Sequence, residues 1–111
     1  MKEFRFLLIA MFLTILIYTI GVVSVHGWNF LSVFLADITA VNWAGQFNLD
    51  FALFVALVGL WIAWRNKFSL LGIGLGLFTY VGGMHFLAAY LLFLSFRPSN
   101  RSIKDVLIGE N

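Results

Sequence analysis

The stretch Phe68-SLLGIGLGLFTYVGGMHFLAAYLLFLS-Phe96 runs for 29 residues without an Asp, Glu, Lys or Arg. About 20 apolar residues suffice to cross the hydrocarbon core of a bilayer as a helix. A straight helix of this length would extend about 43 Å, at 1.5 Å per residue. It must therefore tilt, bend or protrude. Gly82-Gly83 is the expected place for a bend, and Pro98 marks the end.

The rest of the chain agrees with a membrane setting. Of 111 residues, 62% are hydrophobic, 18% aromatic and 11% charged, against about 25% charged in soluble domains. A chain this short has too little interior to hide so much apolar surface. The length allows one domain. Cysteine is absent, which removes disulfides and thiolate chemistry. The basic residues are scattered at the edges of apolar segments, so no nucleic-acid footprint is expected.

Upstream, residues 6–25 form a second uncharged run. It is longer than the h-region of a secretion signal, about 7–15 residues, and reads as a retained helix. Thr14, Thr19 and Ser24 can bond to carbonyls of that helix. Residues 48–66 give a further span, with Asp50 as expected N-cap and Arg65 and Lys67 reaching the interface. Between them, Leu31, Phe34, Leu35 and Ile38 recur at i, i+3, i+4, i+7. This predicts an amphipathic helix over residues 29–41, interfacial or re-entrant, flanked by Trp28 and Trp43. Asn42, Gly45, Gln46 and Asn48 then read as a loop. Residues 99–111 form a polar tail, in which Ser102-Ile103-Lys104-Asp105 fits a capping box opening a short surface helix.

The expected fold is an all-α polytopic bundle of three transmembrane helices plus the amphipathic helix. Four spans are the alternative, with Asp37 inside the bilayer at a cost of roughly 2.5–3.5 kcal/mol if unpaired. Three spans put Lys2, Arg5, Arg65 and Lys67 on one side and Arg97, Arg101 and Lys104 on the other. Four spans divide the cations five against two. Either count turns the N-terminus to the cytoplasm under the positive-inside rule. The expected location is the bacterial inner membrane.

Gly72, Gly76, Thr79 and Gly83 form one seam, with Gly72-x-x-x-Gly76 suited to close helix packing, within the chain or between copies. His85 is ionisable within an apolar segment and is a candidate site by position. It could bond a carbonyl, Tyr90 or a neighbouring helix, relay protons, or ligate a haem or chlorophyll metal. Asp37 and Asp50, with Asn42, Gln46, Asn48 and His85, could line a polar pocket for a metal-held diphosphate or for proton transfer. The plainer reading has Asp50 capping a helix and Asp37 facing headgroups. No metal or phosphate-binding motif occurs, and no cofactor is predicted.

The stretch from Phe30 to Tyr90 resembles small uncharacterised membrane proteins of bacteria and plants, classed as domains of unknown function. The residues carrying the likeness run from Ala36-Asp37 to Asn42-Trp43, then Phe47-Asn48-Leu49-Asp50, Trp61-Ile62-Ala63-Trp64-Arg65, and Gly82-Gly83 to Tyr90-Leu91-Leu92. Asp105-Val106-Leu107-Ile108-Gly109 extends it. The resemblance implies three or four spans, lends weight to Asp50 and supplies no mechanism.

Three functions compete. One is a structural, accessory or interaction subunit in contact with lipids and a larger complex. The second is a lipid- or isoprenoid-directed enzyme or binder using Asp37, Asp50 and His85. The third is a homo-oligomeric transporter or channel.

Overall fold

The computed structural model describes residues 1–110, and among these it is all-helical. Five helices follow in order: α1 Lys2–His26, α2 Phe30–Thr39, α3 Trp43–Arg65, α4 Leu70–Ser95 and α5 Ile103–Ile108. By length and composition α1, α3 and α4, the last counted end to end, are long and apolar enough to cross a membrane. α2 has ten residues, or about 15 Å, so it is not a fourth span.

α1 begins at Lys2 and takes in the two cations ahead of the apolar run. Its hydroxyl side chains bond within the helix. Thr14 and Thr19 each donate to the carbonyl four residues back at 2.7 Å, and Ser24 donates to Gly21 at 2.8 Å. α1 packs on α4 and contributes one buried residue, Leu8.

The expected loop at Asn42–Asn48 is instead the opening of α3. Asn42, extended at φ −134°, accepts the amide hydrogen of Gly45 at 2.8 Å. Its carboxamide satisfies an otherwise free donor of the first turn. Asn42, not Asp50, is therefore the N-cap, and Asp50 lies within the helix. α2 packs antiparallel to these turns: Asn48 bonds the Phe34 carbonyl at 3.1 Å, and Gly45 sits against the Asp37 carbonyl. Phe34, Asp37 and Ile38 are half-buried while Leu31 and Leu35 are exposed, so contact with α3 overrides the amphipathic stripe read from spacing.

The bend expected in α4 is a reversal. Gly83 has φ 54° and ψ −136° and separates two helical halves, a conformation that only glycine adopts cheaply. The first half runs antiparallel to α3. Gly59 and Gly76 meet backbone to backbone: a Cβ at Gly59 would lie 2.7 Å from the Gly76 oxygen, and one at Gly76 2.5 Å from the Gly59 oxygen. The second half returns. Asn66, before the first half, bonds Tyr90 in the second at 2.9 Å. An unbroken helix would hold Gly72, which packs on Asn66, about 27 Å from Tyr90. At the turn, Gly82 has no room for a side chain beside Phe86, and the Phe78 and Phe86 rings meet edge to face at 5.1 Å. Gly72, Gly76 and Thr79 are buried along the seam, whereas Gly83 leaves it at the turn.

The core, Leu8, Ile62, Tyr90, Leu91, Leu94 and Val106, collects at the end of the bundle where α3 stops and α4 both starts and finishes. Val106 is fully buried, so the short helix α5, exposed over much of its length, closes this end through one residue. Ser102 caps it, accepting from the Asp105 amide at 3.3 Å. The Asp105 carboxylate accepts from the Arg101 amide at 3.0 Å, one residue earlier than a reciprocal capping box requires.

Candidate functional site

Among the described residues three polar places stand out, and each has a different neighbourhood. At the end of α3 remote from Arg65, Asp37 and Asn48 meet at 3.4 Å. They share a cavity of about 500 Å³ with His26, Asn29 and the apolar Val33 and Phe34. Gln46 and Asp50 are exposed, and Asn42 is spent on the helix cap.

His85 stands elsewhere, two residues past the reversal. Its Nδ1 is 3.3 Å from the Gly82 carbonyl and its Nε2 is 3.0 Å from the Thr19 hydroxyl. It thus ties the turn to α1, and the Phe12 ring packs edge-on against it at 6.5 Å. A ligated metal would have to take one nitrogen from these partners. No hydrogen bond joins Asp37, Asp50 and His85 to one another among the described residues, and no group of three or more His, Cys, Asp or Glu there has a metal-binding arrangement.

The third place was not foreseen from the sequence. A cavity of about 460 Å³ lies where the link after α3, both halves of α4 and the tail converge. Its walls include Leu71 and Leu75 from the first half of α4 and Phe93 and Leu94 from the second. Arg65, Lys67, Arg97, Asp105 and Glu110 supply its charges. The Phe78–Phe86 contact joins the two halves deeper in the hairpin.

These charged groups differ in how firmly they are held. Arg65 reaches the tail: its Nε donates to the Val106 carbonyl at 2.5 Å and its Nη2 approaches the Asp105 carbonyl at 3.4 Å. A cation at the last carbonyls of α5 also suits the helix dipole. Trp61 assists by donating to the Leu107 carbonyl at 3.0 Å. Lys67 pairs with Glu110 at 3.2 Å in the open, with side chains 60% and 88% exposed, a geometry of little net strength. The Arg97 guanidinium lies 5.7 Å from the Phe93 ring centre. Tyr90 is 9% exposed; its hydroxyl accepts from Asn66 and keeps its own hydrogen to donate.

The reversal gathers charge at this end. Arg5 donates to the Ser95 carbonyl at 2.6 Å and its hydroxyl at 3.2 Å, and it stacks on Phe96 at 4.1 Å. The start of α1 therefore meets the end of α4. Lys2, Arg5, Arg65, Lys67, Arg97, Arg101 and Lys104, all seven Lys and Arg of the chain, belong to segments joined at this one end. Asp37 lies opposite Gly45, about 30 Å along α3 from Arg65. Searches against protein-family models, curated proteins and solved structures found no match to this chain.

Proposed function

We propose that this membrane protein is an accessory or interaction subunit. Its α1 helix offers a face to partner helices, and its basic end faces the cytoplasm. The observation that carries the reading is the one-sided packing of α1. Phe6, Ile17, Tyr18 and Val25 are 74%, 67%, 72% and 74% exposed, and Leu8 alone is buried. Lipid can cover such a surface. A second membrane chain can do so too, through close packing without any new charge. The orientation follows from seven cations at one end under the positive-inside rule. α1 and α3 then cross the membrane, while α4 enters and leaves on the cytoplasmic side, since each half measures only about 20 Å. The likeness to small uncharacterised membrane proteins belongs to this same proposal. Native mass spectrometry after gentle solubilisation tests it: a heteromeric complex carries the reading, and a lone monomer sinks it.

A second reading is favoured by one observation, the break in α4 beside His85. Discontinuous helices with polar groups at the break build ion and substrate sites in transporters. A homo-oligomer in the same experiment would favour a transporter or channel over an accessory subunit.

A further inference from the structure

We propose that the cavity between the two halves of α4 and the tail seats the headgroup of an anionic phospholipid from the leaflet at the basic end. The inference rests on the membrane placement above. It deepens that placement by naming a ligand class.

The cavity has the two-part character of a lipid. Leu71, Leu75 and Phe93 provide apolar walls for acyl chains, and Leu71 and Phe93 are 70% and 59% exposed at its rim. Lys67 and Arg97 provide cations at the end where the headgroups lie. Arg97 offers a planar fork suited to phosphate oxygens, and Lys67 a compact charge. Lys67 needs only to leave an exposed partner, Glu110, so an incoming phosphate competes with a weak pair. Tyr90 adds a donor from a buried position, fixed in place by Asn66. Arg65 is committed to the tail carbonyls, which holds the cavity's tail wall in place without consuming Lys67 or Arg97.

The charge balance gives the sign. Three cations and two carboxylates line the cavity, and the remaining Lys and Arg cluster around the same end, so the local field favours an anion. A negatively charged leaflet strengthens this, because basic juxtamembrane groups are drawn to anionic lipid.

The test is native mass spectrometry of the full chain in a neutral detergent, with phosphatidylglycerol, phosphatidylcholine or inorganic phosphate added at equal concentration. The wild type should retain one phosphatidylglycerol about tenfold more readily than phosphatidylcholine. K67Q/R97Q should lose that preference, whereas K2Q/K104Q, which removes the same charge away from the cavity, should keep it. Equal retention of the two lipids by the wild type would overturn the proposal. So would an equal loss in both double variants, which would assign the effect to overall charge. Displacement of the lipid by inorganic phosphate would assign the site to a soluble anion instead. Circular dichroism of each variant establishes that it has folded. Lipid retention in detergent depends neither on a partner subunit nor on orientation, so its failure is distinct from failure of the accessory-subunit reading.

Discussion

The side-chain amide of Asn66 donates to the hydroxyl of Tyr90 at 2.9 Å across 24 residues of chain. With α4 unbroken, Tyr90 would stand about 27 Å beyond Gly72, against which Asn66 packs. The protein has no cysteine, so N66C/Y90C carries the only two thiols. A bifunctional thiol reagent of roughly 10 Å reach should join them. Failure to cross-link in the folded protein would show that α4 runs straight.

Y90F removes one hydrogen bond and leaves Asn66 bonded to the Ile62 carbonyl at 2.8 Å. The expected loss is about 1 kcal/mol, read from the midpoint of denaturant unfolding in detergent.

Gly83 and the Gly59–Gly76 crossing should resist even a methyl group. G83A forces a positive φ on a residue with a Cβ and should cost about 1–3 kcal/mol. G59A and G76A drive backbones apart and should cost a similar amount, about 1–3 kcal/mol. G74A, which meets open space, should leave stability unchanged or raise it. A loss at G74A equal to that at G76A would refute the packing described for the seam.

His85 should matter as a tie rather than as a packing group. H85A removes the ring nitrogen that bonds the Thr19 hydroxyl, which keeps its bond to the Ile15 carbonyl, at an expected cost of about 1 kcal/mol. Hydrogen exchange should rise in the C-terminal half of α1 and around Gly83. Unchanged protection there would mean that the tie contributes nothing.

R65Q should loosen the tail, because Arg65 supplies the bond to the Val106 carbonyl. Limited proteolysis should then cut within residues 103–108 several times faster than in the wild type, with α1 and α3 still protected. The same cutting rate in both proteins would show that Val106 burial and the Trp61 bond to Leu107 hold α5 without Arg65.

Membrane topology gives a further check. Single cysteines at Lys67 and Arg101 should react with an impermeant reagent from the same side, and one at Trp43 from the other. A straight α4 would instead place Lys67 and Arg101 on opposite sides.

The sequence alone determined the class and much of the local structure. Uncharged runs dictate helices in lipid, because backbone groups there must pair within the segment. Local chemistry was equally legible in the hydroxyl-to-carbonyl bonds of α1 and in the Ser102 cap. The sequence also marked Gly82-Gly83 as special, since glycine permits conformations closed to other residues. Only the tertiary structure decided how far the chain turns there. That angle depends on what receives the returning half, namely Asn66 for Tyr90, Arg5 for Ser95, and a core completed by Val106 from the tail. These contacts span 24 to 90 residues, beyond the reach of periodicity or capping rules. The same turn decided the charge map. A straight last helix divides the cations four against three, and the reversal returns Arg97, Arg101 and Lys104 to the side of Arg5 and Arg65. It also builds the cavity at the basic end, whose walls come from segments that no sequence spacing connects.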